Sequence, residues 1–268
     1  MNDLKNIYIC FPGGKHKALT MSFDDGRLED RRLVEMFNQY GIRGTFNLNS
    51  GVHNNDRINQ SEYSELYKGH EIACHTVTHP TVSRLPLAQT ALQILEDRRA
   101  LEQLCGYPVR GLAYPNGSYN QEIIDMLPAL GIRYARTTHD TYDFAIPQNF
   151  GEWNPTCHHR RNLLELGEKF VQLNKTNRLY LLYVWGHSYE LPEQNGWEVM
   201  EKFCQMVGGR KDIWFATNIE IVDAMENATR LQFTVDGEYC FNPNAASCWV
   251  EVDRKIYEVP GGTGVYFH

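Results

Sequence analysis

Short apolar runs alternate with longer amphipathic stretches along most of the chain. The first amphipathic stretch has apolar side chains at three- and four-residue spacing, at Leu33, Met36, Phe37 and Tyr40. This spacing predicts a helix that begins near residue 28 and ends at Gly41. The same reasoning predicts further helices over 60–67, 86–105, 121–130, 163–174, 197–207 and 219–225.

The apolar runs between these helices are predicted to be seven strands: 17–23, 44–49, 71–74, 110–114, 132–137, 179–185 and 213–216. Strands that alternate with helices indicate an α/β fold, in which helices cover a mostly parallel sheet. This number of strands and helices favours a closed or nearly closed (β/α) barrel over an open sheet. The irregular, aromatic stretch 139–157 is longer than an ordinary connection, which favours a functional role for it.

The pattern changes after Asn227. The segments 231–235, 249–252 and 256–259 alternate at period two, with turn residues beside them, which predicts a small antiparallel β appendage. We therefore expect residues 1–228 to form the barrel and residues 229–268 to form an appendage packed on it. The appendage either contacts carbohydrate or covers an end or open edge of the barrel, and we favour the second role.

The first predicted strand ends in two adjacent carboxylates, Asp24 and Asp25, followed by Gly26. The carboxyl ends of strands are where α/β folds keep their reactive groups. Because two neighbouring negative charges repel unless a cation lies between them, this pair indicates a metal ion. The alternative is an ordinary turn before the helix, in which Asp and Gly serve as turn and capping residues.

Two histidines, His75 and His79, directly follow the third predicted strand. Imidazoles four residues apart can reach one ion if the backbone between them turns like a helix. Their position at a strand end matches that of the two aspartates. One aspartate, two histidines and an open position for water form a plausible catalytic zinc set.

Three segments resemble motifs of a known family: Ser-Phe-Asp-Asp-Gly at 22–26, His-Thr-Val-Thr-His at 75–79 and Tyr-Pro-Asn-Gly at 114–117. They are similar to the first three motifs of the polysaccharide deacetylases, the NodB-homology or carbohydrate esterase family 4 group. The resemblance covers about 17–216 and implies a distorted seven-stranded (β/α) barrel. It also implies that zinc, or another divalent metal such as Co²⁺ or Ni²⁺, supports removal of an N-acetyl or O-acetyl group from a small or oligomeric saccharide.

Carried over residue by residue, the resemblance makes Asp25, His75 and His79 the metal ligands and Asp24 the base that deprotonates the attacking water. His187 follows a leucine-rich strand and matches the family's late histidine motif. The resemblance therefore implies that His187 gives a proton to the departing amine. The alternative for His187 is a histidine that a neighbouring loop satisfies.

The third motif implies substrate-binding roles for Tyr114, Pro115 and Asn116, and an oxyanion-binding backbone N–H in this turn. It departs from the family's usual Arg-x-Pro-Tyr, because the arginine position is Ala113 and the tyrosine position is Asn116. We hypothesise that Arg136, at the end of the next strand, orients the base instead; the alternative is reduced activity.

Trp153 stands where the family has a pocket tryptophan, which implies contact with substrate. Its alternative role is to anchor the long loop. The remaining histidines lack a partner at ligand spacing or are adjacent in sequence, and we predict that they are surface or loop residues: His16, His53, His70, His158, His159 and His268.

Composition narrows the classes of partner. A formal charge of −7 without a dense Lys/Arg cluster argues against nucleic acid and against an anionic membrane surface as partners.

The apolar runs are too short to span a bilayer and the N-terminus lacks a signal-peptide pattern, so we expect a cytoplasmic chain unless a leader has been removed. Seven cysteines without a C-x-x-C pair indicate a reducing compartment, although Cys240 and Cys248 could face each other across a hairpin.

Two functions other than saccharide deacetylation stay open. One is an enzyme of the same fold that acts on a non-sugar amide, as allantoinase-like relatives do. The other is a pseudoenzyme that binds glycan or metal without turnover. The missing motif arginine favours the pseudoenzyme, whereas the retained aspartates and histidines argue against it. The sequence does not indicate an oligomeric state.

Overall fold

The computed structural model describes residues 4–268. Its first strands and helices, in chain order, are β1 (Ile7–Cys10), β2 (Lys17–Asp24), α1 (Asp30–Tyr40), β3 (Gly44–Leu48), α2 (Tyr63–Leu66), β4 (Glu71–Cys74), α3 (Leu87–Cys105), β5 (Gly111–Ala113), α4 (Gln121–Met126) and β6 (Tyr134–Arg136). They are followed by β7 (Cys157–His158), α5 (Leu163–Val171), β8 (Tyr180–His187), α6 (Gly196–Val207), β9 (Ile213–Phe215) and α7 (Asn218–Thr229). The last five strands are β10 (Gln232–Phe233), β11 (Tyr239–Phe241), β12 (Cys248–Val252), β13 (Lys255–Val259) and β14 (Gly264–Tyr266). None of the helices in this part of the chain is long and apolar enough to cross a bilayer.

The main sheet is parallel and has the order β6-β5-β4-β3-β2-β8-β7, with β9 also paired to β2. Strand β2 is buried along its whole length and lies at the centre. Residues 21–24 of β2 pair with β3, and residues 17–19 pair with β9. The strands predicted from the sequence are all present, so the α/β prediction is confirmed. Strand β7 was not predicted, because two residues are too few to show a period.

The connection after β6 closes the sheet toward a barrel. The backbone of Trp153 exchanges hydrogen bonds with β6, donating to Ala135 O over 2.9 Å and accepting from Thr137 N over 3.0 Å. Three residues later, Thr156 N donates to Tyr183 O of β8 over 2.8 Å. This segment continues into β7, the strand beside β8, so it links the two ends of the sheet. The prediction of a distorted (β/α) barrel is confirmed.

The remaining strands form two small antiparallel sheets, β1-β12-β13 and β10-β11-β14. They include the appendage expected from the period-two pattern, and β12 packs against α7. Strand β1 was not predicted; it joins the appendage because residues 7–10 pair with residues 249–252. The division at residue 228 stays a prediction. Cys240 and Cys248 lie in different sheets rather than across one hairpin, and both thiols are free.

The predicted site residues lie at or just after the carboxyl ends of parallel strands, at one edge of the sheet. Strand β2 ends at Asp24, β6 at Arg136 and β8 at His187, while His75 directly follows β4. Because the carboxyl ends of parallel strands face the same way, these side chains meet above the sheet.

Candidate active site

The turn after β2 carries two adjacent carboxylates in different surroundings. Asp24 is 2% exposed, whereas Asp25 is partly exposed. Asp25 has φ +81°, a backbone conformation that is uncommon for a residue other than glycine. Arg57 holds this turn, because its guanidinium donates to the backbone oxygen of Asp25 and, over 3.2 Å, to Asp25 Oδ1. Arg57 therefore holds both the backbone and the side chain of Asp25 in this turn.

Asp25, His75 and His79 offer ligand atoms that all lie within 4.8 Å of one another. The segment that carries the histidines is not the helical turn expected from their spacing. Instead, Thr76 and His79 have φ values of +65° and +56°, and the two imidazole rings lie 4.7 Å apart. Backbone strain of this kind persists where the surrounding structure enforces it, often at ligand sites.

The protonation of His75 suits a metal ligand. Its Nδ1 lies 2.8 Å from Ala113 O, and a carbonyl oxygen only accepts, so Nδ1 carries the proton and Nε2 carries the lone pair. This Nε2 is buried and has no partner among the residues that the structure describes. Burial is the largest cause that lowers the pKa of His75, to about 4, so the imidazole is neutral at pH 7. A neutral, oriented and unpaired nitrogen fits a divalent metal ion.

Asp24 lies beside this cluster and is held by a cation and an amide. Arg136, itself fully buried, donates from Nη2 to Asp24 Oδ2, and Asn47 Nδ2 donates to Asp24 Oδ1 over 2.8 Å. Burial acts to raise the pKa of Asp24, but the charges of Arg136, His75 and His187 outweigh it and lower that pKa. Asp24 is therefore ionised at neutral pH.

His187 faces the same carboxylate from β8. Its Nε2 lies 3.9 Å from Asp24 Oδ2, and the corresponding distance from His75 Nε2 is 3.8 Å. Burial acts to lower the pKa of His187, but the nearby negative charges of Glu190 and Asp24 outweigh burial and raise it. The structure thus brings a carboxylate and a histidine that is readily protonated to one point.

Replacing Arg136 by Met should lower the free energy of unfolding by about 3–5 kcal/mol at pH 8, because it leaves the Asp24 carboxylate buried without its cation. Burial would then raise the folded-state pKa of Asp24 above its unfolded value of about 3.9. A raised folded-state pKa favours the folded state at low pH and loses this advantage as pH rises. The deficit should therefore be smaller at pH 5 than at pH 8.

Urea unfolding of the wild type and the Arg136→Met variant at both pH values measures this difference. A deficit that does not change with pH would show that lost packing, rather than the unpaired carboxylate, causes it. Arg133→Met is the matched control, because Arg133 forms an ion pair with Glu226 at the surface. That change should cost about 1 kcal/mol or less.

The third-motif residues take different positions. Tyr114 is 1% exposed and donates from its hydroxyl to Gly151 O over 2.7 Å. Pro115 is also buried, whereas Asn116 is exposed, has φ +57° and donates from Nδ2 to Thr81 Oγ1 over 3.2 Å. Of these three predicted substrate-binding residues, the structure leaves only Asn116 open to solvent.

Trp153 is 1% exposed and lies in the barrel core. Its ring packs edge-on against Tyr134, Phe150 and Tyr183, with ring centroids 5.5, 4.9 and 4.8 Å away. Together with its backbone bonds to β6, this packing gives Trp153 the contacts of a loop anchor. Its predicted role in binding substrate stays a prediction.

Three of the histidines predicted to be surface or loop residues are buried: His70 and His159 lie in loops as predicted, whereas the prediction was wrong for His158, which lies in β7. His70 is 7% exposed, and its Nδ1 accepts from Gly44 N over 3.0 Å. His158 and His159 are 8% and 3% exposed, and both contact Glu190. Only the spacing of Glu190, three residues after His187, could have indicated its position from the sequence.

Residues 12–135 match the family model described as polysaccharide deacetylase. The resemblance to the polysaccharide deacetylases is confirmed. Within the curated proteins, this chain is 26% identical over 148 residues to a chitooligosaccharide deacetylase of Bradyrhizobium sp. (strain ANU 289), which covers 55% of this chain and 62% of the relative. The chain spans about a third to just under two thirds of the length of the curated relatives it matches, 36%, 62% and 63% for three of them.

Two solved structures share the deacetylase fold of this chain. PuuE allantoinase has a TM-score of 0.66 at 15% identity, covering 82% of this chain and 93% of its own. A family 4 carbohydrate esterase from Streptomyces lividans in complex with acetate has a TM-score of 0.51 at 15% identity, covering 75% and 92%. At these identities the likeness shows the fold alone.

Proposed function

We propose that this chain is a metal-dependent hydrolase of the polysaccharide deacetylase type, which removes an acetyl group from a small or oligomeric saccharide. The observation that carries the proposal is the set Asp25, His75 and His79 beside the ionised Asp24. Asp24 lies beside the ligand set but pairs with Arg136 and is not itself a ligand, so it can accept a proton. The family match and the name of the chitooligosaccharide deacetylase relative support a saccharide as the substrate.

Asp25, His75 and His79 would hold the metal ion, and zinc is the proposed metal because nitrogen and carboxylate ligands of this number suit it. When bound, such an ion polarises a carbonyl oxygen and makes water more acidic. In this proposal Asp25 and the neutral His75 bind the metal ion and take no part in proton transfer. They hold their positions through Arg57 and through Ala113 O respectively.

Asp24 acts as the base in this proposal. It accepts the proton that the attacking water loses as the oxygen of that water bonds to the acetyl carbonyl carbon. Arg136 and Asn47 occupy one lone pair on each oxygen of the carboxylate, so they fix its orientation. Because each carboxylate oxygen has more than one lone pair, the group can still accept the proton.

His187 acts as the acid. As the carbon–nitrogen bond breaks, the departing amine takes a proton from His187, and the acetyl group leaves as acetate. The raised pKa of His187, which the nearby charges of Glu190 and Asp24 bring about against burial, keeps a protonated fraction available near neutral pH. Asp24 therefore accepts a proton and His187 donates one, from two sides of the same point in the site.

The turn after β5 supplies an oxyanion donor. Gly117 N and Ser118 N donate to Tyr114 O and Pro115 O within the turn, and proline has no N–H. Within the described chain, Asn116 is the residue of this turn whose N–H the turn does not use. We assign the stabilisation of the developing oxyanion to Asn116 N–H, since such donors stabilise charge in the transition state.

The test is acetate release by the purified protein after chelation and after zinc is restored. The substrate panel contains N-acetylated chitooligosaccharides, an O-acetylated saccharide and allantoin, the last followed by ring opening. Zinc-dependent acetate release from a saccharide supports the proposal. Turnover of allantoin alone would replace it with a non-sugar amidase, and metal binding without any turnover would replace it with a pseudoenzyme.

A further inference from the structure

A buried group outside the predicted metal set contains His158, His159 and Glu190, which we call the histidine clamp. His158 Nε2 lies 3.1 Å and His159 Nε2 lies 2.8 Å from the same oxygen, Glu190 Oε2. The two histidines follow one another at the end of β7, and Glu190 lies in the turn after β8. Their ligand atoms are close enough to suit a metal ion, so the protonation of the nitrogens decides what the group does.

The histidine clamp holds a carboxylate rather than a cation. His158 Nδ1 accepts from the backbone N–H of Arg160 over 3.2 Å, so this nitrogen has no proton and Nε2 carries it. His159 Nε2 also faces the Glu190 carboxylate at hydrogen-bond distance. Both rings therefore donate to Glu190. This is the reverse of His75, whose Nδ1 carries the proton and whose Nε2 is free to ligate.

Glu190 is a fixed negative charge. Burial acts to raise its pKa, but the hydrogen bonds from His158 and His159 and the nearby His187 outweigh burial and lower the pKa far below the usual range. Arg160 Nη1 adds a cation 3.7 Å from the second oxygen of the carboxylate. The side chain is 16% exposed, so it has little freedom to leave this position.

The same Glu190 oxygen reaches His187. His187 Nδ1 lies 3.6 Å from Glu190 Oε2, while Nε2 on the opposite side of the ring faces Asp24. In the part of the chain that the structure describes, this buried Nδ1 has no hydrogen-bond partner, and Glu190 is the carboxylate it faces. Catalytic hydrogen bonds in free enzymes are often long and tighten when substrate binds. A proton on Nδ1 is thus directed at Glu190, and Nε2 is directed at the site.

Gly186 lets the histidine clamp pack directly beneath His187. A methyl group on this glycine would overlap the ring of His159 and approach His158 Nε2 to 3.2 Å. Any side chain at this position would push the clamp away from β8. Gly186 directly precedes His187, the predicted acid, and its lack of a side chain leaves room for the rings of the histidine clamp.

We propose that Glu190, held in place by His158 and His159, is a positioning residue that orients His187 so that its Nε2 presents a proton to the leaving group. This inference rests on the proposed function, in which His187 is the acid. The groups near His187 are Glu190 on its Nδ1 side, Asp24 on its Nε2 side, the charge of Asp25, and the rings of His158, Trp185 and Tyr189. Among these, Glu190 is the charged group that contacts Nδ1.

The test compares Glu190→Gln with wild type on two substrates. An amine leaves only when protonated, whereas 4-nitrophenolate leaves without a proton. We therefore expect kcat for an N-acetylated chitooligosaccharide to fall about 10²-fold and kcat for 4-nitrophenyl acetate to change less than about 3-fold. Equal losses on both substrates, or no loss on the amide, would overturn the proposal.

The matched control is Glu193→Gln. Glu193 lies three residues further on, is 63% exposed and pairs with Arg160 at 3.1 Å, so it shares the surroundings of Glu190 without contacting His187. Its kinetics should equal those of the wild type. A second pair tests the clamp itself: His159→Gln keeps an N–H donor and should retain more amide turnover than His159→Phe, which keeps the ring volume alone.

Imidazole ¹⁵N NMR of His187 gives a readout that does not depend on activity. The wild type should show a proton on Nδ1, and Glu190→Gln should shift the neutral form toward the Nε2–H tautomer. If the wild type releases no acetate from any substrate, the proposed function fails while this spectrum still tests positioning. An unchanged His187 tautomer in Glu190→Gln would overturn the positioning role, even in an active enzyme.

Discussion

Asp24→Asn should reduce kcat for acetate release by about 10³-fold, within the range that removal of a general base produces. The physical reason is that an amide oxygen does not take up a proton at neutral pH, although it still accepts hydrogen bonds from Arg136 or Asn47. Zinc content should stay at the wild-type level, because the ligand set Asp25, His75 and His79 does not include this side chain. Initial rates and elemental analysis on the same samples measure both quantities.

The control for this variant is Asp56→Asn. Asp56 is half exposed and pairs with Arg27 over 2.6 Å, so its loss removes a nearby negative charge without touching the buried site. Its rate should stay within a factor of two of wild type. If Asp24→Asn keeps more than a tenth of the wild-type kcat, Asp24 is not the base and the proton must go elsewhere.

The second large effect concerns the metal. Asp25→Asn and His79→Ala should each lower bound zinc from about one equivalent to less than about 0.1 and remove acetate release. Each change deletes one of three donors that converge within 4.8 Å. In the wild type, zinc at about a hundredfold excess over its dissociation constant should stabilise the fold by about 2.7 kcal/mol, and the two variants should lose this gain.

The wild type, both variants and His53→Gln are measured by elemental analysis and by thermal unfolding with and without zinc. His53 is exposed and lies outside the ligand set, so His53→Gln should bind zinc as the wild type does. Full zinc content in both Asp25→Asn and His79→Ala would show that the metal lies elsewhere. The stability measurement keeps the test independent of turnover.

Several parts of the site are visible in the sequence because each is local. An apolar run that stops at Asp24 and Asp25, and another that stops before His75, indicate two strand ends that carry ligands. Parallel strands place such ends on one edge, so proximity follows from the fold class alone. The position of Arg136 at a strand end was sufficient for the hypothesis that it meets Asp24, and the hydrogen bond between the two agrees with it.

Other parts of the site depend on contacts between segments distant in sequence. His158 ends a strand too short to show a period and His159 follows it, and their burial depends on β8 and on the space at Gly186. Arg57 reaches Asp25 from a loop, and Trp153 is buried because its segment closes the barrel. No pattern within one segment reports such contacts.

The sequence by itself determined the alternation of strands and helices, the antiparallel character of the appendage and the strand ends that carry Asp24, Asp25 and His75. Hydrophobic periodicity sets these features, and it acts over a few residues. The tertiary structure decided how the barrel closes, that β1 joins the appendage, and which nitrogen of His75 and of His158 holds its proton. A tautomer is set by whether the neighbouring atom donates or accepts, and only the folded chain supplies that neighbour.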